Sequence, residues 1–292
     1  MYRIGIDLGG SKIEGIALDE AMEEVCRKRV PTRREEGYEA ILKTVQKLYD
    51  DLVIGIHAER HSLGIGTPGA ISPKTGLLKN SNTVCMNGKP VQKDLERLLG
   101  QRIELSNDAN CFTLAEARMG AAEWKRVVFG VIMGTGCGGG ISVEGKILTG
   151  PQRIAGEWGH MVIDPAGPEC YCGARGCVET FISGGGLERR YAAEFGEPRT
   201  LPQILSAYRG GDGKAVPFMQ EFFARFGQAM ANLITVLDPD IVVLGGGLSN
   251  IDELYTEGVK EVRQRVFSDS LETPIVRNKL GDSAGVIGAA LL

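Results

Sequence analysis

Seven cysteines and three histidines are spread over 292 residues, yet His160, Cys170, Cys172 and Cys177 fall within one short segment. One imidazole and three thiolates make the closed tetrahedral Cys3His donor set of structural zinc. Three buried free thiols and a surface histidine would be the plain alternative, but the crowding argues against it. The odd cysteine total and this clustering suit a reducing cytoplasm and not a disulfide framework. Asn107-Asp108-Ala109-Asn110 follows RIELS, which reads as a strand, and precedes a helical pattern. An Asp there is a common helix N-cap. It also stands at the carboxyl end of a strand, where open α/β sheets bind ligands. A carboxylate so placed can take the proton of a sugar hydroxyl attacking a γ-phosphate, and both readings can hold together.

Two glycine turns could cradle phosphates. Asp7-Leu8-Gly9-Gly10-Ser11-Lys12 lies between two apolar β-prone runs, and Gly134-Thr135-Gly136-Cys137-Gly138-Gly139-Gly140 recurs later in the same setting. Successive N–H groups in such turns form anion nests; Ser11 and Lys12 add a donor and a charge, and Asp7 can hold Mg²⁺ through water. The first turn taken alone reads better as a simple hairpin, and the second is evenly matched. Their repetition shifts the balance towards a polyphosphate held from both sides. Gly245-Gly246-Gly247, after a buried strand, leaves room for a flat ligand such as adenosine, or is a plain strand-to-helix turn. Glu157 and Glu179 flank the metal segment and would suit vicinal hydroxyls, although exposed glutamates are the safer reading of those two alone. Gly64-Ile65-Gly66-Thr67-Pro68-Gly69 matches a dinucleotide fingerprint only formally, because Pro68 and Ile71-Ser72-Pro73 leave no helix to receive a pyrophosphate. A Walker A loop is absent.

The elements that must position these residues alternate between sheet and helix. YRIGID, KIEGIALD and EEVCRKRVPT read as strands, a helical period runs from Glu36 to about Ala58, and SLGIGTPG returns to a strand. After a loop-rich stretch come a short helix near Lys93–Leu99, the strand RIELS and a helix from about Ala109 to Met119. RVVFGVIMG and GGISVEG then open a second round, followed by helical patterns at Gly186–Phe195, Pro217–Leu237 and Asp252–Phe267. The strand DIVVLGGG falls between the last two, and SAGVIGAALL ends the chain as a small-residue helix. This is an α/β pattern with duplicated lobes. A net charge of -4 gives no polyanion footprint, and the basic run Arg27–Arg29 meets Glu35-Glu36 soon after. The amino terminus reaches Asp7 too soon for a secretory signal, and no apolar run approaches the roughly 20 residues of a membrane span.

IGIDLGGSK, GIGTPGAISP, NDANC, IMGTGCGGG, AGEWGH, CYCGARGCVETFISG, LDPDIVVLGGG and GDSAGVIGAA together resemble the ROK family of sugar kinases and repressors, from Met1 to Leu292. PGAISPKTGLLKNSN, MNGKP and CYCGARGCVETFISG look most similar to its bacterial fructokinases (manno-fructokinases). Those fructokinases carry a Trp before the NG of the sugar loop, where this chain has Cys85-Met86. The resemblance implies a two-lobed actin/hexokinase-like (RNase H-like) fold with a central cleft. The expected small lobe is 1–107 plus the helix 282–292; the large lobe is 108–281, with the zinc loop at 160–177. It implies ATP-dependent phosphorylation of a hexose 6-hydroxyl, fructose first and mannose next, with glucose or an N-acetylhexosamine as alternatives. Asp108 is then the general base. Gly69, Asn82, Asn107, Glu157, His160 and Glu179 are sugar contacts alongside it. Gly9, Gly10, Ser11, Lys12, Thr135 and Gly136 face ATP phosphates, and Gly246 lies near adenosine. His160, Cys170, Cys172 and Cys177 hold the zinc, so that His160 serves metal and sugar together. Many members pair, so a homodimer is the implied assembly, with no nucleic-acid or membrane partner. Repressors of the family carry a DNA-binding domain before the DLGG strand; here that strand begins at Tyr2. A non-catalytic nucleotide-binding relative of the actin type would leave the zinc loop and Asn107-Asp108 without a purpose.

Overall fold

The computed structural model describes residues 1–57 and 60–292. The chain divides into two compact units, residues 1–123, 140–155 and 280–292, and residues 124–139 and 156–279. In the first unit β1 (Tyr2–Leu8) and β2 (Lys12–Leu18) form a hairpin around the first glycine turn, and β3 (Glu24–Pro31) pairs on β2. α1 (Tyr38–Ile56) follows, its expected end at Ala58 lying outside the described residues. β4 (His61–Thr67), the short hairpin β5 (Ala70–Ile71) and β6 (Leu78–Lys79), α2 (Val91–Leu99), β7 (Glu104–Asn107) and α3 (Asp108–Met119) come next. The sheet order is β3-β2-β1-β4-β7, with β1, β4 and β7 parallel.

β8 (Val127–Met133), β9 (Cys137–Val143) and β10 (Lys146–Ile147) open the second round. α4 (Val178–Ile182), α5 (Gly184–Phe195), α6 (Leu201–Arg209), α7 (Ala215–Leu237), β11 (Ile241–Gly245), α8 (Glu257–Arg263), β12 (Ile275–Arg277) and α9 (Ala284–Ala290) complete the chain. The second sheet runs β10-β9-β8-β11-β12. Numbered within itself, each sheet therefore has the order third, second, first, fourth, fifth, which is the duplication anticipated from the two glycine hairpins.

In the first unit the apolar stripe of α1 (Ile41, Leu42, Val45, Leu48, Leu52) is buried with Ile4, Ile6 and Ile65 of the sheet. α9 packs on the same sheet through small residues. A Cβ on Gly64 would lie 1.9 Å from the Ala289 carbonyl oxygen, and one on Gly288 would lie 1.7 Å from the Cys111 carbonyl oxygen. This backbone-to-backbone approach is why α3 belongs to the first unit. The sequence-based division at 107/108 and 281/282 is corrected accordingly: 108–123, 140–155 and 280–281 join the first unit. In the second unit Tyr191 and Phe195 of α5 meet Phe218 of α7 in a cluster of tilted and edge-on rings.

The helix expected over Asp252–Phe267 is broken. Asp252–Leu254 forms a separate 3-10 turn, α8 ends at Arg263, and Phe267 is exposed. The Tyr255 hydroxyl donates to the Ser249 carbonyl oxygen at 2.8 Å, tying the break back to the preceding turn. α4, α6 and β12 carried no clear periodicity in sequence. α6 does carry a capping box, with the Thr200 N–H donating to Gln203 Oε1 at 2.9 Å.

Candidate active site

In the first unit the turn after β1 is closed by the Gly9 N–H on the Lys12 carbonyl at 3.0 Å. Thr32 braces it, its hydroxyl donating to the Gly9 carbonyl at 2.7 Å. Ser11 is exposed and Lys12 half-buried. Asp7, at the strand end, is pushed up to about 7 by burial first and then by the charges of Asp108 and Glu14, with Lys12 opposing. A divalent cation would reverse that shift, so the carboxylate pair fits a magnesium site held through water.

Asp108 is the first residue of α3 and is not its cap. Asn107 is the N-cap, its Oδ1 accepting the Asn110 N–H at 2.7 Å. The capping role that sequence allowed Asp108 thus belongs to its neighbour, and among the described residues the Asp108 carboxylate accepts the Ala109 N–H at 2.9 Å. Asp108 is exposed by surface area, so water reaches it. The protein around it still raises its pKa, against the lowering effect of that N–H. The Asn107 amide nitrogen donates to no partner among the described residues.

The loop expected to meet the sugar is also in this unit. Gly69 has φ +84°, and a Cβ there would strike the Lys79 carbonyl oxygen at 2.3 Å, so the tight turn needs glycine. Asn82 is exposed, its Oδ1 3.9 Å from the Cβ position of Gly10. The structure therefore brings Asn82 beside the first glycine turn. Asn87, unremarked in sequence, clamps the loop by accepting the Ser81 N–H at 2.9 Å and donating to the Ser81 carbonyl at 2.8 Å. The asparagine of MNGKP was its only signal.

In the second unit the turn Gly134–Gly136 joins β8 to β9. Gly184 donates its N–H to the Gly134 carbonyl at 2.8 Å. Beside this turn is a cavity of about 450 Å³, walled by Leu201, Pro202 and Leu205 of α6 and by Leu248 and Ile251, with Thr135, Glu188 and Asn250 as polar groups. That volume and apolar lining suit a nucleoside. Thr135 lines the cavity as expected. Gly246, φ +76°, abuts Met133 just before the lining residue Gly247. The α6 wall was missed because that helix was missed.

The AGEWGH segment turns over the start of β9: the Trp158 indole N–H donates to the Gly138 carbonyl at 3.1 Å. Glu157 is half-buried just ahead of this turn. His160 ends it. The ligand atoms of His160, Cys170, Cys172 and Cys177 all lie within 4.8 Å of one another. Cys172 Sγ and Cys177 Sγ are 3.6 Å apart, as are Cys170 Sγ and His160 Nδ1. Zinc with Zn–S bonds of about 2.3 Å sets sulfur pairs roughly 3.8 Å apart, so the donor set fits the ion. Burial and the neighbouring thiols push Cys177 up to about 12, a proton that only a bound cation would displace at neutral pH. His160 Nε2 lies 3.0 Å from the Tyr171 hydroxyl, which thus takes the ring nitrogen expected to meet the sugar. Glu179, on α4, is buried, and its Oε2 accepts the Cys137 N–H at 2.8 Å.

The ROK family model matches residues 3–292. The chain is 39% identical over 298 residues to an N-acetyl-D-glucosamine kinase of Vibrio atlanticus (strain LGP32), covering 99% of this chain and 98% of that protein. Among solved structures, a ROK hexokinase from Thermus thermophilus superposes with TM-score 0.90 at 33% identity, covering 100% of this chain and 97% of that one. A ROK family glucokinase from Streptomyces griseus, in complex with glucose and AMPPNP, gives 0.79 at 28% identity, covering 99% and 98%. The chain belongs to the ROK family and is one of its ATP-dependent sugar kinases.

Proposed function

We propose that the chain transfers the γ-phosphoryl group of MgATP to the 6-hydroxyl of a hexose in the cytoplasm, with N-acetyl-D-glucosamine as the substrate. The observation that carries the reaction is Asp108, a carboxylate at a strand end that is relieved of capping by Asn107 and lies near Asp7. Asp108 accepts the sugar hydroxyl proton; in a loose phosphoryl-transfer transition state, placement of that base matters more than its strength. Asn107, Gly69, Asn82, Glu157 and Glu179 are the sugar contacts. His160 joins them once Tyr171 yields its ring nitrogen. Gly9, Gly10, Ser11, Lys12, Thr135 and Gly136 receive the phosphates, Gly246 borders the nucleoside, and Asp7 holds magnesium through water. His160, Cys170, Cys172 and Cys177 hold one zinc ion, which fixes the loop and, with four protein ligands, keeps no position for a reactive water.

The choice of sugar is supported by the N-acetyl-D-glucosamine kinases at 37–39% identity over nearly the whole chain. A second reading, fructose, is favoured by the segments PGAISPKTGLLKNSN and CYCGARGCVETFISG. ADP release with MgATP across N-acetyl-D-glucosamine, fructose, mannose and glucose decides between them. Preferred turnover of N-acetyl-D-glucosamine is expected. Preference for fructose would replace the sugar and keep the mechanism, and silence with every sugar in zinc-replete protein would overturn the kinase reading.

A further inference from the structure

Glu179 was expected only as a sugar contact, and its surroundings give it a second task. It is the second residue of α4, whose N-cap is the metal-loop residue Cys177. Its Oε2 accepts the buried N–H of Cys137 at 2.8 Å. Cys137 closes the second glycine turn, and a Cβ on Gly136 would come within 2.7 Å of the same oxygen. The carboxylate therefore presses against the turn and fixes one of its N–H groups. One further contact ties the turn to the end of α4, and a second holds that end to Glu179. Gly184 donates its N–H to the Gly134 carbonyl at 2.8 Å, and the Ser183 hydroxyl donates to the Glu179 carbonyl at 2.7 Å. Gly134, Thr135, Gly184 and Gly185 all line the nucleoside-sized cavity. Glu179 Oε1 accepts no hydrogen bond among the described residues.

We infer that Glu179 is a positioning residue for the nucleotide as well as a sugar contact: Oε2 holds the Gly134–Cys137 turn in its phosphate-binding shape while Oε1 is left for a sugar hydroxyl. This rests on the kinase reading. One rigid carboxylate then reports sugar occupancy to the phosphate turn, because whatever orients its Oε1 also sets the direction of its Oε2. The turn's glycine at 136 follows from the same contact, since a side chain would displace the oxygen that braces it.

The test measures binding, in the absence of sugar, of the nonhydrolysable nucleotide AMPPNP with Mg²⁺ by titration calorimetry. Glu179→Ala leaves the Cys137 N–H buried without an acceptor and is expected to weaken AMPPNP roughly tenfold. Glu179→Gln keeps an amide oxygen for that N–H and should bind AMPPNP within about twofold of the unaltered chain, even where its sugar affinity falls. Unchanged AMPPNP affinity in a folded Glu179→Ala chain would reduce Glu179 to a sugar contact and overturn the inference. Should Glu179→Ala fail to fold, Glu179→Met carries the test, filling the space without an acceptor for the Cys137 N–H. Weaker AMPPNP binding in that folded variant supports the inference, and unchanged binding overturns it. Absence of AMPPNP binding by the unaltered chain would overturn the kinase reading and this inference together.

Discussion

Gly288→Ala tests whether the seam under α9 sets both stability and catalysis. The new Cβ would lie 1.7 Å from the Cys111 carbonyl oxygen and 2.3 Å from its carbon, both backbone atoms of α3. Relief to ordinary contact requires a separation of more than about 1 Å between the helices. α9 cannot withdraw cheaply, because its other side is held against Gly5 and Gly64, whose Cβ positions fall 2.3 Å from Val286 O and 1.9 Å from Ala289 O. Overpacking commonly costs about 1–3 kcal/mol, and a clash of two backbones belongs at the upper end, about 3 kcal/mol. At roughly 2–4 °C per kcal/mol for a chain approaching this size, the melting point should fall by roughly 6–12 °C. Asp108 begins the helix that is pushed, three residues before Cys111, so turnover should fall too, by up to about 100-fold for a shift near 1 Å. Urea unfolding and a coupled ADP assay on the same preparation read both effects. Gly213→Ala, in open space on the surface, is the control and should change neither. A Gly288→Ala chain within 1 kcal/mol of the parent and with full turnover would show that the seam yields, and the packing argument would fail.

Asp108→Ala should lower kcat by about 10²–10⁴ with sugar affinity still measurable by calorimetry, and an active variant would remove Asp108 as the base. Asp7 has a folded pKa raised to about 7, so between its unfolded value near 3.8 and about 7 the folded chain holds a proton that the unfolded chain has released. Its contribution to stability is therefore present at low pH and lost as pH rises towards 7. Urea midpoints of nucleotide-free, magnesium-free protein between pH 4.5 and 7.5 should show this fall, and Asp7→Asn should flatten it; parallel profiles would refute the assignment. Elemental analysis should find one zinc ion per chain. Cys177→Ser, at the buried ligand that also caps α4, should lower the melting point more than Cys172→Ser at the exposed one, and equal effects would argue against that difference.

The parts of this protein legible in its sequence are those in which one residue type has few alternatives. Gly-Gly between two β-prone runs marked the β1–β2 hairpin, and its recurrence at 134–140 anticipated two sheets of one topology. The Cys3His segment converged as its donor chemistry required. What remained hidden depends on contacts distant in sequence. Nothing local assigns α3 to the first unit; that follows from Gly288 meeting Cys111, 177 residues away. α6 escaped notice because only Ile204 of its nine residues is fully buried, so it has little apolar stripe to read, although its capping box was there.

Sugar identity is harder still, for a reason visible in the loops. Hexoses and their N-acetylated relatives differ at a few polar groups, and each is discriminated by the hydrogen bond of one or two side chains. The residues available for this are held by neighbours that sequence does not reveal. Asn82 sits on a loop whose shape is set by the Asn87 clamp on Ser81. His160 offers its second nitrogen to Tyr171, and Glu179 gives one oxygen to Cys137. Changes at Asn87 or Tyr171 would leave the proposed base, phosphate turns and zinc ligands intact while moving the groups proposed to meet the sugar. Asn87→Ala should therefore alter the ratio of kcat/KM between N-acetyl-D-glucosamine and fructose more than it alters KM for MgATP. If both sugars fall equally and the nucleotide falls with them, the loop supports the fold generally and does not select the substrate.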